Sequence, residues 1–167
     1  KRVFMLAFAG VFLHIVFSGF EFQPCARVAW TPDMQHSVWA AASRAVRTPS
    51  RFDSDVTITS QKFDSEKIIA YELGYRIRPV AQLSFSFATF YNQYKHLRSL
   101  DSTSSTSTPI ILANSQRAES WGIEFSGNFQ ATKWWRLRGG YTHFEKEIRP
   151  TSPKVLPASE AFEGVDP

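Results

Sequence analysis

Four histidines, one cysteine and a set of glutamates lying close to arginines are the residues of this chain with most claim to chemistry. The histidines, His14, His36, His96 and His143, are scattered, and no pair has the metal-ligand spacing of an HExxH helix. Cys25 stands alone, which excludes an internal disulfide framework and a cysteine-based zinc site; its simplest role is that of a small strand residue. Glu21, Glu72 and Glu124 offer the carboxylates that acid–base catalysis needs. They sit in the same stretches as Arg27, Arg76, Arg78, Arg136 and Arg138, so ion pairing explains them more simply. His143 and Glu145 share a strand face, but that face is otherwise apolar, which favours packing at an interface over catalysis. No glycine-rich phosphate loop is present, and Gly139-Gly140 falls inside a strand pattern, where glycine marks a bend or a close backbone approach. No cofactor, metal site or enzymatic activity is expected.

The elements that carry these residues are read from a period of two. From Ile69 to Arg78 every odd position is large and apolar or aromatic, and every even position is small or charged. Successive side chains of a strand point to opposite faces, so this segment has one apolar and one charged face. The same alternation predicts about six strands, at 18–31, 36–46, 66–79, 82–98, 116–130 and 133–148. Tyr71, Leu73, Tyr75, Leu83, Phe85, Ile123, Phe125, Leu137 and Tyr141 are expected on one face. Glu72, Arg76, Ser84, Glu124, Arg136 and Arg138 are expected on the other. The facing of 36–46, rich in alanine, is ambiguous, and Pro24, which lacks a donor, marks a break or an edge. Many of these runs exceed the five or six residues common in soluble sheets and approach the ten or so that cross a bilayer at a tilt. An apolar outside with a charged inside is the pattern of an outer-membrane barrel strand.

The connections alternate in length. Short turns at 31–35, 79–81 and 131–133 are separated by long segments at 47–65, 99–115 and from 149 onward, rich in Ser, Thr, Pro and Asp. Barrels of the outer membrane have short periplasmic turns and longer outer loops. Trp30 and Trp39 flank the first short turn and Trp135 lies beside the third; with Trp121 and Tyr141 they are candidates for an aromatic girdle at the headgroup layer.

Composition agrees with a lipid-facing surface without requiring it. Aromatics are 15% of the 167 residues and are skewed towards Phe. The net charge of +4 comes from dispersed Lys and Arg that are locally balanced by Glu, unlike the clustered cations of a nucleic-acid binder, so no nucleic-acid partner is expected. Residues 1–17 stand apart: Lys1-Arg2 followed by an apolar run to Phe17 is signal-like, lacks a clear cleavage site and lacks strict alternation. A short apolar helix is expected there, with a displaced strand as the alternative. The chain starts with Lys and stops at Val-Asp-Pro, and both ends look cut.

Several motifs together resemble one family. Ser43-Arg44-Ala45-Val46-Arg47-Thr48-Pro49-Ser50-Arg51 is similar to the stretch of TonB-dependent outer-membrane receptors that leaves the barrel for an external loop. Glu72-Leu73-Gly74-Tyr75-Arg76 and Phe90-Tyr91-Asn92-Gln93-Tyr94 resemble that family's next hairpin. Asn114 to Glu124 resembles its N-x-x-x-A-x-S-x-G-x-E strand, and Trp134-Trp135-Arg136-Leu137 with Gly140-Tyr141-Thr142 continues the match. The resemblance extends over residues 18–167. It implies a closed barrel of about 22 strands around a plug domain.

The expectation is therefore an all-β chain: an antiparallel up-and-down meander of long transmembrane strands, forming an open segment of a large barrel in the Gram-negative outer membrane. Residues 1–17 would be a segment of uncertain role and 18–167 a partial receptor barrel. The resemblance implies import of a scarce ligand, most often a ferric siderophore, energised by TonB. The partners would be outer-membrane lipid, the plug domain, the remaining strands and TonB acting through an N-terminal part. Arg44, Arg47, Arg51, Glu72, Arg76, Glu124, Arg136 and Arg138 are the candidates for contact with ligand or plug. Two rival readings are a secreted soluble β-sandwich that binds sugar or protein, and an outer-membrane barrel hydrolase, which would need a Ser–His pair at matched depth.

Overall fold

The computed structural model describes residues 2–15, 19–49, 64–102 and 110–162. They form one antiparallel sheet of seven strands in sequence order: β1 (Val3–Ile15), β2 (Gly19–Thr31), β3 (His36–Arg47), β4 (Glu66–Val80), β5 (Leu83–Ser102), β6 (Ile110–Gln130) and β7 (Arg136–Pro150). A short 3-10 helix, Pro157–Phe162, follows. Each strand pairs with its neighbour in sequence; the short turns at β2–β3, β4–β5 and β6–β7 leave no room for a crossover, and the longer connections return to the adjacent edge. In the first turn, the Asp33 carboxylate accepts hydrogen bonds from the backbone amides of Gln35 and His36, both at 2.8 Å.

The N-terminal apolar run is a strand, not a helix. All of Val3–Ile15 lies in register with β2, from Val3 opposite Thr31 to Ile15 opposite Gly19. A run of apolar residues without polar alternation suits either structure, and the β2 edge available for pairing decides it. β5 and β6 also run further than the alternation suggested, to Ser102 and back to Ile110, into the Ser/Thr-rich stretch expected to be loop.

Register aligns the two faces across all seven strands. Phe4, Trp30, Val38, Tyr75, Phe87, Phe125 and Tyr141 are successive cross-strand partners and make one continuous row. A second row on the same face runs Leu6, Val28, Ala40, Leu73, Thr89, Ile123, His143, and a third Phe8, Ala26, Ala42, Tyr71, Tyr91, Trp121, Glu145. Tyr71 and Tyr91 stack at 6.5 Å and Phe85 and Phe125 at 5.9 Å. No second layer covers this face among the described residues, so Phe4, Phe8, Phe12, Phe20 and Tyr141 are each more than 60% exposed. A soluble sandwich would bury such a face against a second sheet.

Burial is found elsewhere, at the long-loop end. Between Tyr94 and Leu97, β5 takes three steps while β6 takes two, from Ala118 to Gln116; between Leu97 and Ser99 the excess passes to β6. His96, with φ of 58°, sits in the first of these bulges. One inserted residue reverses facing, so Leu97, Ser99 and Asp101 turn to the polar side, where they are buried. The chain beyond β7 folds back over them. Ser102 donates its amide to the Lys154 carbonyl at 2.9 Å and Leu156 donates to the Leu100 carbonyl at 2.8 Å. Ser159, fully buried, accepts from the Leu100 amide at 2.8 Å and donates to the Leu100 carbonyl at 3.0 Å.

Candidate functional site

The polar face is the candidate site, and its residues are placed by the same register. Ser37, Arg76, Ser86, Ser126 and Gly140 form one row, and Trp39, Gly74, Ala88, Glu124 and Thr142 the next. Arg27, Ala41, Glu72, Phe90, Gly122 and Phe144 form a third. Phe90 and Phe144 close over Gly122, with ring centroids 6.1 Å apart, and a Cβ at Gly122 would meet the Phe90 ring at 2.6 Å. Near the short turns, Ser37, Arg76, Arg78, Ser84, Ser86 and Ser126 line a depression of about 390 Å³. Guanidinium groups ringed by hydroxyls suit anionic or multiply hydroxylated partners.

The charged residues of this wall do not neutralise one another. Among the described residues, Glu72, Glu124, Arg76, Arg136 and Arg138 make no salt bridge, although ion pairing was their simplest reading. Arg76 lies over the Trp39 ring, 5.9 Å from its centroid, and Arg136 donates from Nε to Gln130 Oε1 at 2.6 Å. Arg138 lies opposite Asn128, whose buried Oδ1 has no partner.

Two of the arginines read from sequence leave this wall or stand at its rim. Arg44 is opposite Ile69 and so starts from the apolar side, but it reaches across to Glu21 of β2, pairing with it at 3.0 Å, and donates to the Phe22 carbonyl. The cause lies in β2 and β3, whose pairing stops at Cys25 opposite Ser43, next to donor-less Pro24. Beyond that point the strands fork, and Arg44 ties the fork together. Arg47 is at the mouth, paired with Glu66 at 3.0 Å, and Glu66 also accepts from the Arg98 amide at 3.2 Å. Arg51 lies outside the described residues.

The tryptophans divide likewise. Trp30, Trp121 and Tyr141 lie on the apolar face, and Trp134 and Trp135 stack at 6.5 Å beside the third short turn. Trp39 does not share that face. It turns inward onto Gly74, where a side chain Cβ would collide with the indole. His143 pairs with Glu145 at 3.4 Å on the apolar side, with Trp121 edge-on to the imidazole at 5.8 Å. Alternation could not assign Trp39, because an alanine-rich strand gives no contrast between faces. The bulge-flipped Ser99 and Asp101, joined by a 2.6 Å hydrogen bond, had no signal in sequence at all.

A single two-faced meander with an apolar outside and a charged inside defines a segment of a transmembrane barrel wall. The TonB dependent receptor-like β-barrel family model matches residues 11–164, and the chain belongs to that family. The family is one of receptors rather than enzymes, and its place is the Gram-negative outer membrane. No curated protein sequence matches the chain. Among solved structures it is similar to the FrpB iron transporter of Neisseria meningitidis (F3-3 variant; 17% identity, TM-score 0.70, covering 95% of this chain and 25% of that one). It is similar also to the alcaligin outer-membrane receptor FauA of Bordetella pertussis (19% identity, TM-score 0.57, 81% and 25%). The copper transporter OprC shares the fold at 13% identity and a TM-score of 0.54, over 84% of this chain and 23% of that one. The chain therefore spans about a quarter of the length of these proteins.

Proposed function

We propose that the chain is part of the barrel of an active-transport receptor that imports a scarce ligand, a ferric siderophore first among the candidates, with energy supplied through TonB. The observation that carries this reading is the inner wall: Glu72, Arg76, Glu124, Arg136 and Arg138 share one face and have no ionic partners within the sheet. Charges so placed are tolerable where water and a plug domain satisfy them, whereas Arg or Lys facing lipid at mid-depth costs roughly 2–4 kcal/mol. Iron and alcaligin, named for FrpB and FauA, support a ferric cargo, with copper, named for OprC, as the competing one. Arg76 and Arg78, with the serines around them, suit the carboxylates of a plug or the anionic edge of a ferric chelate.

The test is uptake of a labelled ferric siderophore by the source bacterium with and without the gene that encodes the chain. Uptake that needs the gene, is restored by complementation and is abolished by a protonophore supports the reading. Uptake unchanged by deletion of the gene overturns the siderophore assignment. Gene-dependent uptake that survives the protonophore overturns the energised mechanism.

A further inference from the structure

On β4 to β6 the apolar face gives way at its upper edge to a charged rim, in which cations stand beyond a row that holds Glu119 and Glu147. Tyr71, Tyr91 and Trp121 are cross-strand partners and form the last fully aromatic row on β4 to β6. Four residues further along β4, on the same face, Lys67 stands directly opposite Lys95. Four residues from Trp121 along β6, again on that face, Arg117 stands directly opposite Arg149. Adjacent strands thus each place a cation at about 13 Å of strand beyond the aromatic row, or roughly 9 Å of depth at a 45° tilt. That is the depth of lipid headgroups outside the hydrocarbon.

Like charges directly opposite each other destabilise a sheet unless an anion joins them. Arg149 has its anion: Glu147 accepts from its Nε at 2.7 Å and from Nη2 at 2.6 Å. Glu119, in the row below and opposite Glu147, lies on the same side of the sheet. Beneath Lys67 and Lys95 the row is Ile69 opposite Gln93, and Gln93 in turn stands opposite Glu119, so a carboxylate lies diagonal to Lys95, while Lys67 has Val46 and Ile69 as its neighbours. Among the described residues, Lys67, Lys95 and Arg117 have no salt-bridge partner.

Beside Lys67 the apolar face is split. The β2–β3 fork opens a groove of about 770 Å³, walled by Phe8, Phe12, Phe22, Pro24, Ile69 and Tyr71. Ile69 and Tyr71 are the next two residues below Lys67 on its own face. Arg44 closes the groove but lends it little charge, since its guanidinium is held by Glu21 and the Phe22 carbonyl.

We infer that this outward edge is a binding site for a phosphorylated lipid of the outer leaflet, its phosphate on Lys67 and Lys95 with Arg117 alongside, and one of its acyl chains in the fork groove. The occupant follows from the placement. The cations face the membrane, not the lumen, and stand at headgroup height; the adjoining cavity is hydrocarbon-lined and opens on the lipid side. A phosphate supplies the anion that the opposed lysines lack, and a lipid supplies the chain.

The test uses the complete receptor barrel carrying this chain, purified from outer membranes in mild detergent, with co-purifying lipid measured by native mass spectrometry. The expected result is a retained phosphorylated lipid that falls at least tenfold in K67Q/K95Q, persists in K67R/K95R and is unchanged in K133Q, a matched charge removal at the opposite end. Delipidated wild-type protein should rebind the phosphorylated lipid, but not its dephosphorylated form. Equal retention by K67Q/K95Q and wild type overturns the site. So does rebinding of the dephosphorylated lipid, or displacement of the lipid by millimolar inorganic phosphate, which would make it a free-phosphate site. If K67Q/K95Q does not reach the membrane, the comparison of the two lipids on wild-type protein decides the matter.

Discussion

Trp39 and Gly74 show how one residue pair is set by its partner strand. The indole covers the glycine on the inner face, where Gly74 is buried and Arg76 stacks on the same ring. Gly74→Ala puts a methyl group into that ring and is expected to destabilise the folded barrel by about 1–3 kcal/mol. The cost should shrink in Gly74→Ala/Trp39→Ala, so that the double-mutant cycle in urea refolding shows strong coupling. Asp33 sets the first short turn. The Gln35 amide, opposed by desolvation and aided by the His36 amide, holds its carboxyl below the ordinary 3.8. A lowered carboxyl pKa stabilises the folded form fully above the ordinary value and loses that contribution as pH falls through the lowered one. Asp33→Asn keeps an acceptor for the turn and should remove this part of the acid sensitivity below about pH 4. Heat-modifiability of the complete barrel measured from pH 2 to pH 7 checks it; an unchanged acid limb would place the sensitivity elsewhere.

At the scale of elements, the two irregular places are the β2–β3 fork and the upper ends of β5 and β6. Arg44 spans the fork to Glu21, whose side chain is only 12% exposed. Arg44→Ala leaves that carboxylate unpartnered at a cost of about 1–3 kcal/mol, while Arg44→Lys recovers part of it. A ligand-contact role would instead leave refolding stability unchanged and lower uptake alone. At the β5 end, the returning segment supplies hydrogen bonds to an edge that β4 no longer covers, since β4–β5 pairing stops at Lys67 opposite Lys95. Ser159→Ala removes both bonds to Leu100 and should speed exchange of the Leu100 amide by roughly tenfold for each 1.4 kcal/mol lost. Unaltered exchange would show that the segment does not hold this edge in solution.

For the whole molecule, the decisive feature is that, among the described residues, β1 and β7 each have one strand neighbour. Unsatisfied backbone groups in lipid cost several kcal/mol each, so the sheet demands further strands on both sides or a closed ring. Its dimensions fit the membrane: from Tyr71 to Val80 is about 30 Å of strand, or roughly 21 Å of depth at a 45° tilt, near the ~25 Å apolar band of such barrels. Residues 1–167 refolded alone in detergent are therefore expected to give no heat-modifiable compact band and no saturable siderophore binding. A compact band with saturable binding would show that these strands close by themselves.

Alternation alone was enough to assign the facing of Tyr71, Leu73 and Tyr75 against Glu72 and Arg76, because a strand has two faces and no intermediate setting. Short turns were enough to pair β2 with β3, β4 with β5 and β6 with β7. Tertiary structure decided what had no internal contrast. The apolar run from Val3 became a strand because β2 offered it an edge. Val38 and Trp39 took opposite sides through their pairing with Tyr75 and Gly74. Ser99 and Asp101 turned inward because a bulge at His96 shifted the register, and a bulge is a property of two strands together, invisible in either sequence segment read by itself.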